Sequence, residues 1–286
     1  MTQALIGILG GSGLYDMEAL TDVLELHIDT PFGSPSDAIV RGTVDGVSVA
    51  FLARHGRGHR LLPSEVPYRA NIHALRQLGV RYVLSLSAVG SLREDIRPLD
   101  MVLPDQFIDL TRQRKSTFFG EGAVAHVSMA EPICPALSQV LARAISNVDA
   151  SITVHNAGTY VCIEGPQFSS LAESRWLRSL GGDIVGMTNM PEAKLAREAQ
   201  MAYTTLAMVT DYDCWHPREP NVSVDLALNN LHRNARRAQL IATQTIRLLG
   251  SERPASTAHS ALQEGLLTSR DAMPDSTRRA LEVFWS

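Results

Sequence analysis

The sequence predicts an α/β protein, a single domain over 1–286 in which a mixed central β-sheet is flanked by helices. Three observations predict it. Short, near-continuous apolar runs alternate with segments of helical periodicity, the pattern of strands buried between helical layers. Asp45-Gly46 separates two β-rich runs, which marks an antiparallel hairpin and makes the sheet mixed. Finally, 286 residues, 45 % of them hydrophobic and 20 % charged, suffice for a large core without disulfide or metal staples.

The elements follow in order. Ala4–Leu9 reads as a buried strand running into the turn Gly10-Gly11-Ser12-Gly13. Ile39–Val44 and Val47–Ala53 form the hairpin. Pro67–Leu78 has helical spacing through Ile72, Leu75 and Leu78, and Gly79 stops it. Tyr82–Ser87 is a strand and Ala88-Val89-Gly90 a turn. Ile152–His155 and Tyr160–Ile163 are strands. Ser170 and Glu173 form a capping-box pattern that opens a helix to about Leu180. Ile184–Met187 is a strand, and Pro191 starts a helix because its fixed φ suits a first turn. Thr204–Val209 is a strand ending at Thr210-Asp211-Tyr212-Asp213. Ser223 caps a long helix to about Leu249, and Ser251–Thr257 reads as loop. Two amphipathic segments, Ser260–Leu267 and Ser276–Val283, complete a tail (251–286) that packs on the domain or near a neighbouring subunit's site.

Composition excludes much. The net charge of −4 (26 basic against 30 acidic residues) leaves no general nucleic-acid footprint. No run approaches the ~18 apolar residues that cross a membrane. The start MTQALIGILGG lacks the basic region and cleavage site of a signal peptide. Cys134, Cys162 and Cys214 form no CxxC pair, so no disulfide framework or zinc site is expected, which suits a reducing cytoplasm. The nine histidines show no regular metal-ligand spacing, and His232 reads as a surface residue of the long helix.

Five segments could carry chemistry. The turn Gly10–Gly13 exposes backbone N–H groups that suit an anion, with the Ser12 hydroxyl beside them. Its spacing fits neither a dinucleotide fingerprint nor a P-loop, and Leu14 rules out a nucleophile elbow, so a plain tight turn also explains it. Arg54-His55-Gly56-Arg57-Gly58-His59-Arg60 places five cationic or titratable side chains in seven residues at a strand end, either a phosphate grip or a solvated basic loop. Small residues in Ser85–Gly90 let backbone donors approach a ligand, or simply pack a turn. Met187-Thr188-Asn189 runs from a strand into a helix start, which attracts anions, although Thr188 or Asn189 could be only a cap. If extended geometry continues past Thr210, Asp211 and Asp213 point the same way and could accept from an adenine amine and a protonated N7. Loop solvation is the alternative.

Together these segments resemble the methylthioadenosine phosphorylase branch of the purine nucleoside phosphorylase family. The resemblance rests on Gly10–Asp16, Leu52–Arg57, Pro63-Ser64, Tyr68–Asn71, Gly90–Glu94, Asp105–Asp109, Met129–Pro132, Ile163–Phe168 and Thr210–Trp215, in order across about residues 4–250. It implies a phosphate site of Ser12, Arg54, His55, Ser87, Ala88 and Thr188. It implies ribose contact from Met187, base stacking by Phe168, and base binding by Ser169, Asp211 and Asp213, with Asp211 as the catalytic acid. His126 is implied to reach the 5′-methylthio group from a neighbouring subunit, with Leu266 or Leu267 of the tail covering it too.

The implied reaction is phosphorolysis, with inorganic phosphate as co-substrate, no metal or organic cofactor, and a homotrimeric, cytoplasmic enzyme. Three departures stand out: Ser12 and Ser87 replace threonines of the animal form, and Asn189 replaces a second threonine. The alternatives are a 6-oxopurine or methylthioinosine phosphorylase, a hydrolytic nucleosidase, or a non-catalytic binding protein on the same fold. Asp211, where 6-oxopurine enzymes carry asparagine, opposes the first: a carboxylate only accepts, and repels a 6-oxo group.

Overall fold

The computed structural model describes residues 5–11, 18–219 and 221–285, and within the long helix it leaves the side chains of 227, 228, 231 and 232 undescribed. Ser12, expected on the phosphate, and the side chain of His232 lie outside the described residues. In chain order the elements are β1 (Ile6–Gly10), β2 (Thr21–Leu26), β3 (Ile39–Val44), β4 (Val47–Ala53), α1 (Tyr68–Gln77), β5 (Tyr82–Ser91), β6 (Met101–Val102) and β7 (Gln106–Asp109). There follow α2 (Pro135–Val148), β8 (Val154–His155), β9 (Thr159–Cys162), α3 (Leu171–Ser179), β10 (Ile184–Gly186), α4 (Asn189–Glu198), β11 (Ala202–Asp211), α5 (Val224–Glu252), α6 (Ala261–Gly265) and α7 (Asp275–Leu281).

The strands form one mixed sheet in the order β2-β3-β4-β1-β5-β10-β9-β7, with β11 beside β5 and leading on to β6 and β8. Asp45 (φ 48°) and Gly46 (φ 80°) are both left-handed, the backbone of a two-residue hairpin turn. Successive residues of one strand face opposite cores. Leu9, Val83 and Tyr203 join α1, α4 and the C-terminal segment on one side. Ile8, Leu84 and Leu206 join α2 and α5 on the other.

β5 positions the site. Its first half lies between β1 and β11, both parallel to it, and the β1 pairing ends at Leu9 opposite Ser85. On that same edge antiparallel β10 takes over only at Gly90 and Ser91. Between them Leu86–Val89 has no strand on one side among the described residues, and Ala88 is the one exposed residue of β5. Such a gap, at the carboxyl ends of parallel strands where the partner switches, is where open α/β sheets receive ligands.

Some elements differ from expectation. α5 runs through Gly250 to Glu252 and ends at Arg253 in a left-handed conformation. Gly250 is a packing residue rather than a stop, because a Cβ there would lie 2.4 Å from Val47 Cγ2. Sequence reading passed over α2, although Leu137, Val140, Leu141, Ala144 and Ile145 form a clean buried stripe. It also passed over β2, an edge strand exposed along nearly its whole length and so without alternation. The C-terminal segment packs on its own chain, where Leu262, Met273, Leu281 and Phe284 join the first core. Among the described residues no helix is long and apolar enough to cross a membrane.

Candidate active site

Arg54 follows β4 directly and is 2 % exposed. Its Nε and Nη2 donate to the two oxygens of Glu192, at 2.7 and 2.9 Å, and Nη2 also donates to Ser85 Oγ at 2.7 Å. Nη1 donates to Leu86 O at 3.1 Å. The two-pronged face of the guanidinium is therefore occupied by Glu192, and Nη1 keeps one N–H without an acceptor among the described residues. Burial disfavours the Arg54 charge, but the Glu192 carboxylate outweighs it and raises the pKa. Glu192 also accepts from Tyr203 Oη at 2.8 Å. Asn189 Nδ2 donates to Ser85 Oγ and Tyr203 Oη, both at 3.0 Å, so it braces this network.

His55 Nδ1 lies 2.8 Å from Leu61 O, and its ring stacks on His59. Burial, then the Arg54 charge, lower its pKa to about 4. His55 is therefore neutral near pH 7, with Nδ1–H given to Leu61 O and Nε2 left as an acceptor. Ser87 Oγ lies 3.1 Å from Tyr160 Oη and 3.2 Å from Thr188 Oγ1, so the hydroxyls of β5, of β9 and of the residue that precedes α4 meet.

The base end is built at the end of β11. Its pairing with β5 skips Thr210, a bulge that sets Asp211 opposite Gly90. Gly90 makes this possible, since a Cβ there would lie 2.9 Å from Asp211 Oδ1. Asp211 accepts from Thr210 Oγ1 at 2.7 Å and from Asp213 N at 2.8 Å. Burial still raises its pKa to about 6. Extended geometry does not continue: Asp213 is left-handed (φ 53°). The two carboxylates are nonetheless neighbours, through the bulge and the turn rather than through strand alternation. Burial also raises the Asp213 pKa, and the nearby Ser174 and Ser169 hydroxyls oppose the shift. Neither hydroxyl is aligned for a full hydrogen bond, and among the described residues Asp213 Oδ2, Ser169 Oγ and Ser174 Oγ are buried without an aligned partner.

Phe168 is 41 % exposed at the rim. The Met187 carbonyl accepts from Arg114 Nη1 at 2.7 Å, and Arg114 also holds Met190 O and Glu164 O. Trp215 Nε1 donates to Ser91 O, and the Arg178 guanidinium lies 3.7 Å from the Trp215 ring centre, which pins the loop after Asp213.

His126 and the tail candidates share one ribbon: Ala125 bridges Leu266, and His126 N donates to Gly265 O at 2.7 Å. Leu266 packs on its own core, whereas Leu267 is 67 % exposed and His126 is exposed as well. Among the described residues no three His, Cys, Asp or Glu side chains form a metal-holding group.

Sequence reasoning missed Glu192, Tyr160, Tyr203 and Arg114. Glu192, Tyr160 and Arg114 act on partners far along the chain, Tyr203 on partners 11 and 14 residues before it, and no local signal marks any of them. Glu192 lies 138 residues from Arg54.

The fold, with an open strand edge at a partner switch and a buried carboxyl at the end of β11, is that of a phosphorylase. Residues 5–247 match the family model described as "Phosphorylase superfamily". The S-methyl-5′-thioadenosine phosphorylase of Thermosynechococcus vestitus is 58 % identical over 98 % of this chain and 98 % of its own length. That of Synechocystis sp. is 57 % identical over 99 % of this chain and 87 % of its own. A methylthioadenosine phosphorylase structure from an antarctic soil metagenomic library is 59 % identical, with TM-score 0.95, covering 99 % of each chain. The Schistosoma mansoni methylthioadenosine phosphorylase in complex with adenine is 40 % identical, with TM-score 0.82, covering 87 % of this chain and 93 % of that one. The chain belongs to the phosphorylase superfamily, and within it to the methylthioadenosine phosphorylase branch.

Proposed function

We infer that the chain catalyses phosphorolysis of 5′-methylthioadenosine, giving adenine and 5-methylthioribose 1-phosphate. The observation that carries this reading is Asp211, a buried carboxyl raised to about pKa 6 on the same short loop as the unpaired acceptor Asp213. Adenine supplies N–H groups to such acceptors, whereas a 6-oxopurine presents an oxygen that they repel.

Phosphate is held from the open edge of β5 by Ser87, the backbone at Ala88, Thr188, the remaining N–H of Arg54, and Ser12 of the glycine turn. His55, neutral with Nε2 as acceptor, takes a hydrogen bond from a protonated phosphate oxygen. Met187 lies against the ribose and Phe168 against the base. The glycosidic bond stretches, phosphate attacks the anomeric carbon from the opposite face, and its charge stabilises the cationic sugar. Asp211 gives or shares a proton with N7 of the leaving adenine. Inorganic phosphate is the co-substrate, and the scheme uses no metal or organic cofactor.

The reading includes a homotrimer in the cytoplasm. Val124, His126 and Leu267 stand exposed on one ribbon, and Leu171 and Trp176 of α3, with Leu180 just after it, stand exposed as well. One copy's ribbon, with its tail, then covers the 5′-methylthio group in its neighbour's site. The free cysteines suit a reducing compartment.

The test is adenine release from 5′-methylthioadenosine with and without phosphate, with methylthioinosine in parallel. Phosphate-dependent release with little hypoxanthine is the expected result. A preference for methylthioinosine overturns the Asp211 argument, and phosphate-independent release makes water the nucleophile.

A further inference from the structure

The phenol of Tyr160, on β9, is 0 % exposed and sits under the hydroxyls assigned to phosphate. The fold keeps space for it. A Cβ on Gly186 would lie 2.0 Å from Tyr160 Oη, so only glycine fits at that point of β10. Thr188 N donates to Tyr160 Oη at 3.5 Å, and Ser87 Oγ lies 3.1 Å from it. Burial raises the phenol to about pKa 12, so it keeps its proton at any working pH.

Counting protons shows what the phenol does. It has one to donate, and among the described residues the acceptors within reach are the hydroxyl oxygens of Ser87 and Thr188. An oxygen that receives this proton turns its own O–H elsewhere. Without the phenol, Ser87 has two uses for its proton inside the chain: Thr188 Oγ1 at 3.2 Å and Ala88 O at 3.4 Å. Either one spends a donor that an anion needs.

We propose that Tyr160 is a positioning residue for the phosphate: its buried phenol donates to one hydroxyl oxygen of the Ser87–Thr188 pair, so that the receiving hydroxyl turns its own O–H toward the oxyanion. The proposal rests on the phosphorolysis reading. It concerns orientation and not contact, since Tyr160 itself does not reach the phosphate.

The experiment is steady-state kinetics on the full chain, with phosphate varied at saturating 5′-methylthioadenosine and then the reverse, for wild type and Tyr160→Phe. The Phe107 ring packs 5.7 Å from that of Tyr160 and supports a phenylalanine equally well. Phosphate KM is expected to rise about three- to ten-fold, the size of one lost neutral hydrogen bond, with nucleoside KM within about two-fold. Tyr160→Met, close in volume and without a hydroxyl, gives the same split if phenylalanine is poorly tolerated. In a Ser87→Ala, Thr188→Val background, removing the phenol is expected to add less than about two-fold, because the groups it orients are gone. An unchanged phosphate KM overturns the proposal, as does an equal rise in both KM values or full additivity. If wild type releases adenine without phosphate, the reading beneath the proposal fails first, and that outcome is visible before any variant is made.

Discussion

At the carboxyl ends of β1, β4 and β5 nearly every buried polar group is matched within the chain, whereas at the end of β11 a cluster of acceptors and hydroxyls is not. Arg54 is neutralised by Glu192, and His55 is committed to Leu61 O, with Asn189 Oδ1 and one Arg54 N–H among the exceptions. Among the described residues Asp213 Oδ2, Ser169 Oγ and Ser174 Oγ have no aligned partner, and both carboxyls are held above their ordinary pKa by burial. On the proposed function the difference follows from what each end binds. Phosphate brings its own charge and needs rigid donors, so preorganisation helps. A purine brings N–H groups, and acceptors left unsatisfied in the free protein gain most when those arrive.

Breaking the base end should have the largest effect. Asp211→Ala is expected to lower kcat by about 10²–10⁴-fold, the usual worth of general acid catalysis, and to leave phosphate KM within about two-fold. Turnover equal to wild type removes Asp211 from the acid role.

Breaking the phosphate end should instead cost folding. Glu192→Gln strands the buried Arg54 charge, and a broken buried pair typically costs about 3–5 kcal/mol. A thermal melt should show a fall of roughly 5–15 °C. A melt within two degrees of wild type would mean that the pair is relaxed by solvent.

The titrations sharpen the contrast, because the two ends respond to pH in opposite directions. Asp211 has its folded pKa raised to about 6 from 3.8, so stability falls as pH rises from about 4 through 6, by at most about 3 kcal/mol. His55 has its folded pKa lowered to about 4 from 6.5, so its contribution is lost as pH falls through that window. Asp211→Asn should therefore melt higher than wild type at pH 7, with the gain shrinking toward pH 4. A pH-independent difference would mean that the carboxyl is solvated.

The smallest effect is expected at Ser169. Ser169→Ala removes an unpartnered buried hydroxyl, so the melt should hold or rise slightly. Nucleoside KM should increase about three- to ten-fold, the worth of one neutral hydrogen bond. A lower melting temperature with unchanged KM would make Ser169 structural.

Local chemistry was legible along the chain and long-range pairing was not. The hairpin at Asp45-Gly46, the capping box at Ser170 and Glu173, and the helix cap at Ser223 appear where the sequence predicts them, because each is decided within a few residues. Arg54-His55 stood out as a candidate anion site because five basic or titratable side chains crowd a strand end. The same pattern said nothing of Glu192, which turns that arginine's fork inward. Strand alternation placed Asp211 and Asp213 together for a reason the structure replaces, since the bulge at Thr210 and the left-handed Asp213 do the work.

The amino-acid sequence by itself determined the α/β class, most elements, the order of the motifs and the family they resemble. The class and the elements rest on periodicity, turn chemistry and residue type, all of which are local, and the resemblance on the motifs taken together. Only the tertiary structure decided which groups share a proton or a charge: Arg54 with Glu192, Ser87 with Tyr160 and Thr188, and Asp211 with Gly90 at its side. Hydrogen bonds and buried charges depend on distances of a few ångströms between residues tens to more than a hundred positions apart. Those distances exist only after β5 has changed partners and its edge has opened.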